Sequence, residues 1–233
     1  MNGQLPLHLV PRPRLGLDDW LPGENHQALA SLRQLLEPGG PPQLFLSGPP
    51  GSGRTHLLLG LCGLAEAGGL RAAYLPLGQA ATLAPEMLEG LEQLDLIAMD
   101  DVQAIAGDAP WEEALFHLYN RAREAGCRRL FAADRGPAAL PLALPDLRTR
   151  LAWGLSYQLR PLDDAGKREL LAREAGRRGL ELPEEVARYI VARHRRDTAS
   201  LLALLERLDH DSLVAKRPLT LPFVRERLAA AGG

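Results

Sequence analysis

At 233 residues, with 46% hydrophobic and 24% charged residues, the chain has the composition of a soluble globular protein and not of the disordered or membrane classes. Its formal net charge of -2 gives no overall drive toward nucleic acid, whose non-specific binding rests on many Lys and Arg contacts to phosphate, so direct DNA binding is expected to be weak or absent. Two cysteines, Cys62 and Cys127, have neither metal-ligand spacing nor a disulfide framework, which fits a reducing compartment.

The first residues, MNGQLPLHLV, have no basic n-region, and Pro6 interrupts their short apolar run, so they do not read as a signal peptide. No stretch is long and apolar enough for a bilayer, and a cytoplasmic protein is expected. Pro6, Pro11, Pro13 and Pro22 remove backbone donors and disfavour helix, which predicts an extended tail over residues 1–24. Leucines and alanines at helical spacing predict an amphipathic helix from Glu24 to Leu36, closed by the Pro-Gly-Gly-Pro-Pro turn at 38–42.

Short apolar runs then alternate with longer helical stretches. Strands are expected at 43–47, 72–77, 94–99, 129–133 and 156–159. Such alternation predicts an α/β fold, a five-stranded parallel sheet with helices on both faces. Beyond Pro161 no strand pattern follows. Helices near 163–178, 184–194, 198–213 and 221–230 predict a small all-helical lid, and Pro183 and Pro222 sit near helix starts, where a missing N–H costs nothing. The expected organisation is a tail at 1–24, a nucleotide-binding α/β domain at 25–161 and the lid at 162–233.

Gly48-Pro49-Pro-Gly51-Ser52-Gly53-Arg54-Thr55 follows the first strand and opens a helix, the context a phosphate-binding loop requires. Glycines let backbone N–H groups curl around phosphates, the helix N-terminus adds positive potential, and the Thr55 hydroxyl can reach magnesium. Arg54 stands where lysine is usual. Its planar fork keeps the charge but alters its placement, so binding is expected to survive better than hydrolysis. Alone, the segment also reads as a turn joining strand to helix. The later strand ending in Asp100-Asp101 adds the second half of the pattern: Asp100 would hold magnesium through water, and Asp101 would orient an attacking water.

Further segments resemble AAA+ P-loop proteins of the DnaA clade, and most closely its Hda-like regulators. They include Gln4-Leu-Pro-Leu7, Gly53-Arg-Thr-His-Leu-Leu58, Ile105-Ala-Gly-Asp108, Leu118-Tyr-Asn-Arg121, Asp134-Arg135, Leu144-Pro-Asp-Leu147, Arg150-Leu-Ala-Trp153 and Leu221-Pro-Phe-Val224. Hda-like proteins tolerate arginine in the phosphate loop. The resemblance implies that the chain holds ADP (or ATP) with magnesium, that its N-terminus binds the DNA polymerase III β sliding clamp, and that the clamp-bound complex stimulates hydrolysis of ATP held by DnaA. It also leaves nucleotide-dependent self-association as an expectation.

By the same resemblance Gln4, Leu5, Pro6, Leu7 and Leu9 form the clamp-binding motif, and an extended Pro-containing peptide suits docking of apolar side chains in a groove. Arg150 falls at the arginine-finger position, acting in trans, with Arg148 as the competing candidate. Asp134 falls at the sensor 1 position, though it could equally cap a turn before Pro137. Ala199 stands where the clade carries its sensor 2 arginine, and Arg195 or Arg196, about one turn earlier, could substitute. The basic run Arg193-His-Arg-Arg196 reads equally as a solvated helix end or as a contact to DNA or DnaA. The chain stops at Gly233, without the helix-turn-helix domain of an initiator, which favours a regulator. The alternative is an autonomous ATPase of the helicase-loader type, supported by the paired acids Asp100 and Asp101.

Overall fold

The computed structural model describes residues 16–194 and 197–230. The five strands are β1 (Gln43–Ser47), β2 (Ala72–Pro76), β3 (Leu96–Asp100), β4 (Arg128–Ala133) and β5 (Leu155–Gln158). They form one parallel sheet in the order β2-β3-β4-β1-β5. The α-helices among the described residues are α1 (His26–Leu35), α2 (Arg54–Ala67), α3 (Ala109–Glu124), α4 (Pro145–Leu151), α5 (Asp164–Arg177), α6 (Glu184–Arg193), α7 (Thr198–Ala215) and α8 (Leu221–Ala230). The predicted elements fall within a few residues of these.

Side chains alternate across a strand, and the buried central strands distribute theirs to two apolar layers. Leu44, Leu46, Leu96, Ala98, Leu130 and Ala132 face α1 and α2, while Phe45, Ile97, Met99, Phe131 and Ala133 face α3 and α4. Burial on both faces explains why β1 and β3 read as near-continuous apolar runs. Beyond β5 a separate core gathers Leu171, Ile190, Leu205, Leu208 and Phe223 from α5 to α8. Asp163 and Asp197 cap α5 and α7, accepting from Gly166 N and Ser200 N at 2.7 and 2.8 Å and so satisfying orphan first-turn donors.

The approach to α1 is more ordered than its prolines suggest. From Gly16 the backbone makes a short 3-10 turn at Leu17–Asp19, and Leu17 and Trp20 are buried in the same apolar layer as Leu57, Leu58 and Leu159. Removing these two large side chains from water outweighs the loss of helix propensity. Asn25 closes the segment, taking Arg160 N–H on its side-chain oxygen at 2.7 Å and donating to the Arg160 carbonyl at 2.9 Å.

Phe223 is fully buried whereas Leu213 is 70% exposed. Phe223→Ala should therefore destabilise the protein by about 3–5 kcal/mol, and Leu213→Ala should stay within about 0.5 kcal/mol, both read from chemical denaturation midpoints. Equal effects would contradict the lid core described here.

Candidate functional site

β1 delivers the chain into the glycine loop, and α2 begins at Arg54. Gly51 and Gly53 adopt φ of 81° and 89°, a left-handed conformation that favours glycine. A Cβ on Gly53 would lie 2.2 Å from the Trp20 indole nitrogen. The buried Ser52 Oγ and Arg54 Nη1 have no hydrogen-bond partner among the described residues. Unpaired buried donors around a glycine loop and a helix N-terminus fit a bound phosphate group.

The acids of β3 meet this loop directly. Thr55 Oγ1 donates to Asp100 Oδ2 at 2.5 Å, and the Tyr74 hydroxyl on β2 donates to the same oxygen at 3.0 Å. Asp101 takes a left-handed φ of 54°. Its Oδ1 accepts from Arg54 Nη2 at 3.3 Å and from Gln103 Nε2 at 3.0 Å. Because β4 lies between β1 and β3, Asp134 arrives beside the loop, where Gly48 N–H donates to the Ala133 carbonyl at 3.2 Å. Gln103 Oε1 accepts the Asp134 N–H at 3.1 Å. A bidentate bond from Arg135, with Arg54 adding a weaker pull, holds the Asp134 carboxyl below the usual carboxylate range. The structure thus brings Gly48, Pro49, Gly51, Ser52, Gly53, Arg54, Thr55, Asp100, Asp101 and Asp134 to the carboxyl edge of the sheet.

Above the loop lies a cavity of about 450 Å³, walled by residues 51–56, by the Asp19–Leu21 segment and by α5 and α7. The lid touches the loop, since Thr198 Oγ1 donates to the Gly51 carbonyl at 3.1 Å. Ala199 faces the cavity and so has no polar group to offer it; Arg195 and Arg196 lie outside the described residues, as do Gln4, Leu5, Pro6, Leu7 and Leu9. Arg177 of α5 also lines the cavity and pairs with Asp19, while Arg173 donates to the Asp18 carbonyl at 2.9 Å. His56 Nε2 sits 3.1 Å from the Gly16 carbonyl oxygen, and burial lowers its pKa against the opposing pull of that bond, Asp19 and Glu174.

Arg150 stands apart from this cavity, on α4. Neither it nor Arg148 has an ion pair among the described residues, and both are half-buried. Close by, Trp153 is 53% exposed, with the Arg123 guanidinium 5.1 Å from its ring centroid. Cys62 and Cys127 are both buried; burial pushes their thiols up to about 12 and about 11, which leaves them inert as nucleophiles.

Sequence reasoning missed Tyr74, Gln103, Thr198 and Arg177, and expected the segment around Leu17 to Gly23 at the site without naming Trp20. Gln103 follows Asp101 by two residues and carries a weak local signal. The others reach the site through strand order or lid docking, which no local pattern encodes.

A parallel sheet with a glycine loop between β1 and α2, paired acids ending β3 and a helical lid over the cavity define the AAA+ class of nucleotide-binding folds. Residues 13–158 match the family described as Bacterial DnaA ATPase domain, and residues 164–228 match that described as Hda, lid domain. The first match spans more than half of the chain, which belongs to the bacterial DnaA ATPase domain family, and the pairing of the two is the domain architecture of Hda. Domain III of the Thermotoga maritima replication initiation protein DnaA superposes with a TM-score of 0.78 at 23% identity, covering 91% of this chain and 95% of that one. AMPPCP-bound DnaA from Aquifex aeolicus gives 0.72 at 24% identity, covering 84% and 65%. The Thermotoga maritima RuvB branch migration motor gives 0.73 at 19% identity, covering 94% and 72%. Among the described residues no helix is long and apolar enough to cross a membrane.

Two outcomes follow from the loop. Gly53→Ala should cost about 1–3 kcal/mol through its left-handed backbone alone, measured by denaturation, with the Trp20 contact adding to it. His56 has a folded pKa below 6.5, so its neutral form is favoured in the folded state. Its contribution is fully present above pH 6.5 and is lost as pH falls through the folded value. The wild type should therefore lose more melting temperature between pH 7.5 and 5.5 than His56→Gln; equal losses would refute this.

Proposed function

We propose that the protein is an ADP-holding regulator of replication initiation: it attaches to the sliding clamp and stimulates hydrolysis of DnaA-bound ATP, inactivating the initiator. The reading is supported by one observation, a DnaA-type nucleotide cavity in a chain whose α4 carries Arg148 and Arg150 outside that cavity, neither with an ion pair among the described residues. Backbone N–H groups at 51–55, with Ser52 Oγ and Arg54, would hold the phosphates of ADP or ATP. Thr55 and Asp100 would place magnesium, which when bound neutralises phosphate charge.

Arg54 supports holding over turnover. Its pair with Asp101 engages the carboxylate that would otherwise orient an attacking water. Asp134 beside the loop would sense the phosphates, and Arg196 would reach them from the lid in place of Ala199. Arg150 would stabilise charge developing on the γ-phosphate of ATP bound by DnaA. Gln4, Leu5, Pro6, Leu7 and Leu9 would dock the tail on the clamp as an extended peptide.

A second reading, an autonomous ATPase of the helicase-loader type, is favoured by the Thr55–Asp100 contact and by Asp101 beside it. Turnover by the purified protein that disappears in Asp101→Asn would support it. For the regulator, the decisive assay is hydrolysis of DnaA-bound ATP with ADP and DNA-loaded clamp. Wild type should stimulate, Arg150→Ala should lose about 10³-fold or more, and Gln4→Ala with Leu5→Ala should lose clamp dependence. A soluble, ADP-bound wild type that gives no stimulation would refute the regulator.

A further inference from the structure

α4 has only seven residues, too few to be stable on its own, and its terminal N–H and C=O groups lack partners within the helix. Two buried side chains from elsewhere in the fold bond the backbone at its two ends, just before the helix on one side and over its last turn on the other. At the C-terminal end, Gln43 of β1, fully buried, directs Nε2 at the carbonyls of Arg150, Leu151 and Trp153, at 3.1, 3.3 and 2.6 Å. At the N-terminal end, Glu112 of α3, 1% exposed, accepts the N–H groups of Ala143 and Leu144 at 3.0 and 2.7 Å. It also takes the Gly107 N–H at 2.7 Å.

Neither side chain is needed to fill volume with a polar group. Gln43 Oε1 is buried without a partner among the described residues, a cost that an apolar residue would avoid. The amide cannot turn over to relieve it, because the oxygen would then face three carbonyl oxygens. What the amide provides is a fixed donor for the end of one helix. Gly154, at φ 91°, brings the backbone so close that a Cβ would lie 3.1 Å from the Gln43 carbonyl oxygen, which leaves the turn after α4 little slack.

We infer that Gln43 and Glu112 are positioning residues for Arg150, clamping both ends of α4 so that the arginine meets a phosphate-bearing neighbour in a fixed place. The inference rests on the in-trans reading of Arg150 above. Neither residue touches the nucleotide cavity, so each acts through the helix it holds.

The test uses the full chain as wild type, Gln43→Met, Gln43→Glu and Glu112→Gln, in the clamp-dependent hydrolysis assay with DnaA and ADP. In the folded variants the maximal stimulated rate should fall about 10- to 100-fold, as a misplaced catalytic group requires. The concentration giving half-maximal stimulation should stay within about threefold, since binding contacts are untouched. ADP affinity should match wild type, and backbone amides of Ala152 and Trp153 should exchange about tenfold faster. A purely structural role would instead lower ADP affinity and melting temperature together. Should Gln43→Glu fail to fold, Gln43→Met and Glu112→Gln decide. Folded variants that reach the wild-type maximal rate would overturn the inference alone. A wild type that stimulates nothing would remove the regulator reading and this inference with it.

Discussion

The left-handed turn of the loop at Gly51 and Gly53 is the constraint to which the rest of the site conforms. Each of these positions admits another part of the chain because it lacks a side chain. Gly53 lets the Trp20 indole settle against the backbone, which anchors the segment before α1. Gly51 lets the first turn of α7 approach, with Thr198 bonded to its carbonyl. The cavity has walls from three stretches far apart in sequence because all three converge on a loop that cannot carry a Cβ there.

Arginine in that loop changes how its charge is distributed. A lysine presents a single nitrogen, whereas a guanidinium presents a planar fork of donors. In Arg54 the fork is divided: Nη2 meets Asp101 while Nη1 stays buried without a partner among the described residues. One side chain therefore restrains an acid and still leaves a donor free of that pair at the loop. Asp134, held ionised by Arg135, adds negative charge within reach of the same guanidinium, which limits net positive potential at the loop.

Much of the fold was legible in the chain because burial writes a pattern. Runs such as Leu44-Phe45-Leu46 signal a strand covered on both faces, and the phosphate loop announces itself by glycine spacing. The lid helices were legible from leucine periodicity and the prolines at their starts. Strand order was not, since nothing local says that β4 enters between β1 and β3, and that insertion is what brings Asp134 to the loop. Trp20 lay hidden among prolines that suggested an extended chain. Gln43 falls at the polar start of the strand expected at 43–47, and no local pattern marks Glu112; only tertiary packing buries them and aims them at the ends of α4. The proposed clamp-binding residues Gln4, Leu5, Pro6, Leu7 and Leu9, and Arg196, fall outside the described residues.

β1 also has a mechanical meaning. With hydrogen-bonded neighbours on both edges and apolar layers on both faces, it is a stiff strut that can be neither stretched nor slid one residue without exposing its core side chains. Four residue steps of about 3.3 Å set roughly 13 Å between its two ends. One end runs into the nucleotide loop, and the other grips the carbonyl end of α4. The chain's own cavity and the helix that carries the arginine are therefore held at the two ends of a single strand, at a spacing the strand itself sets.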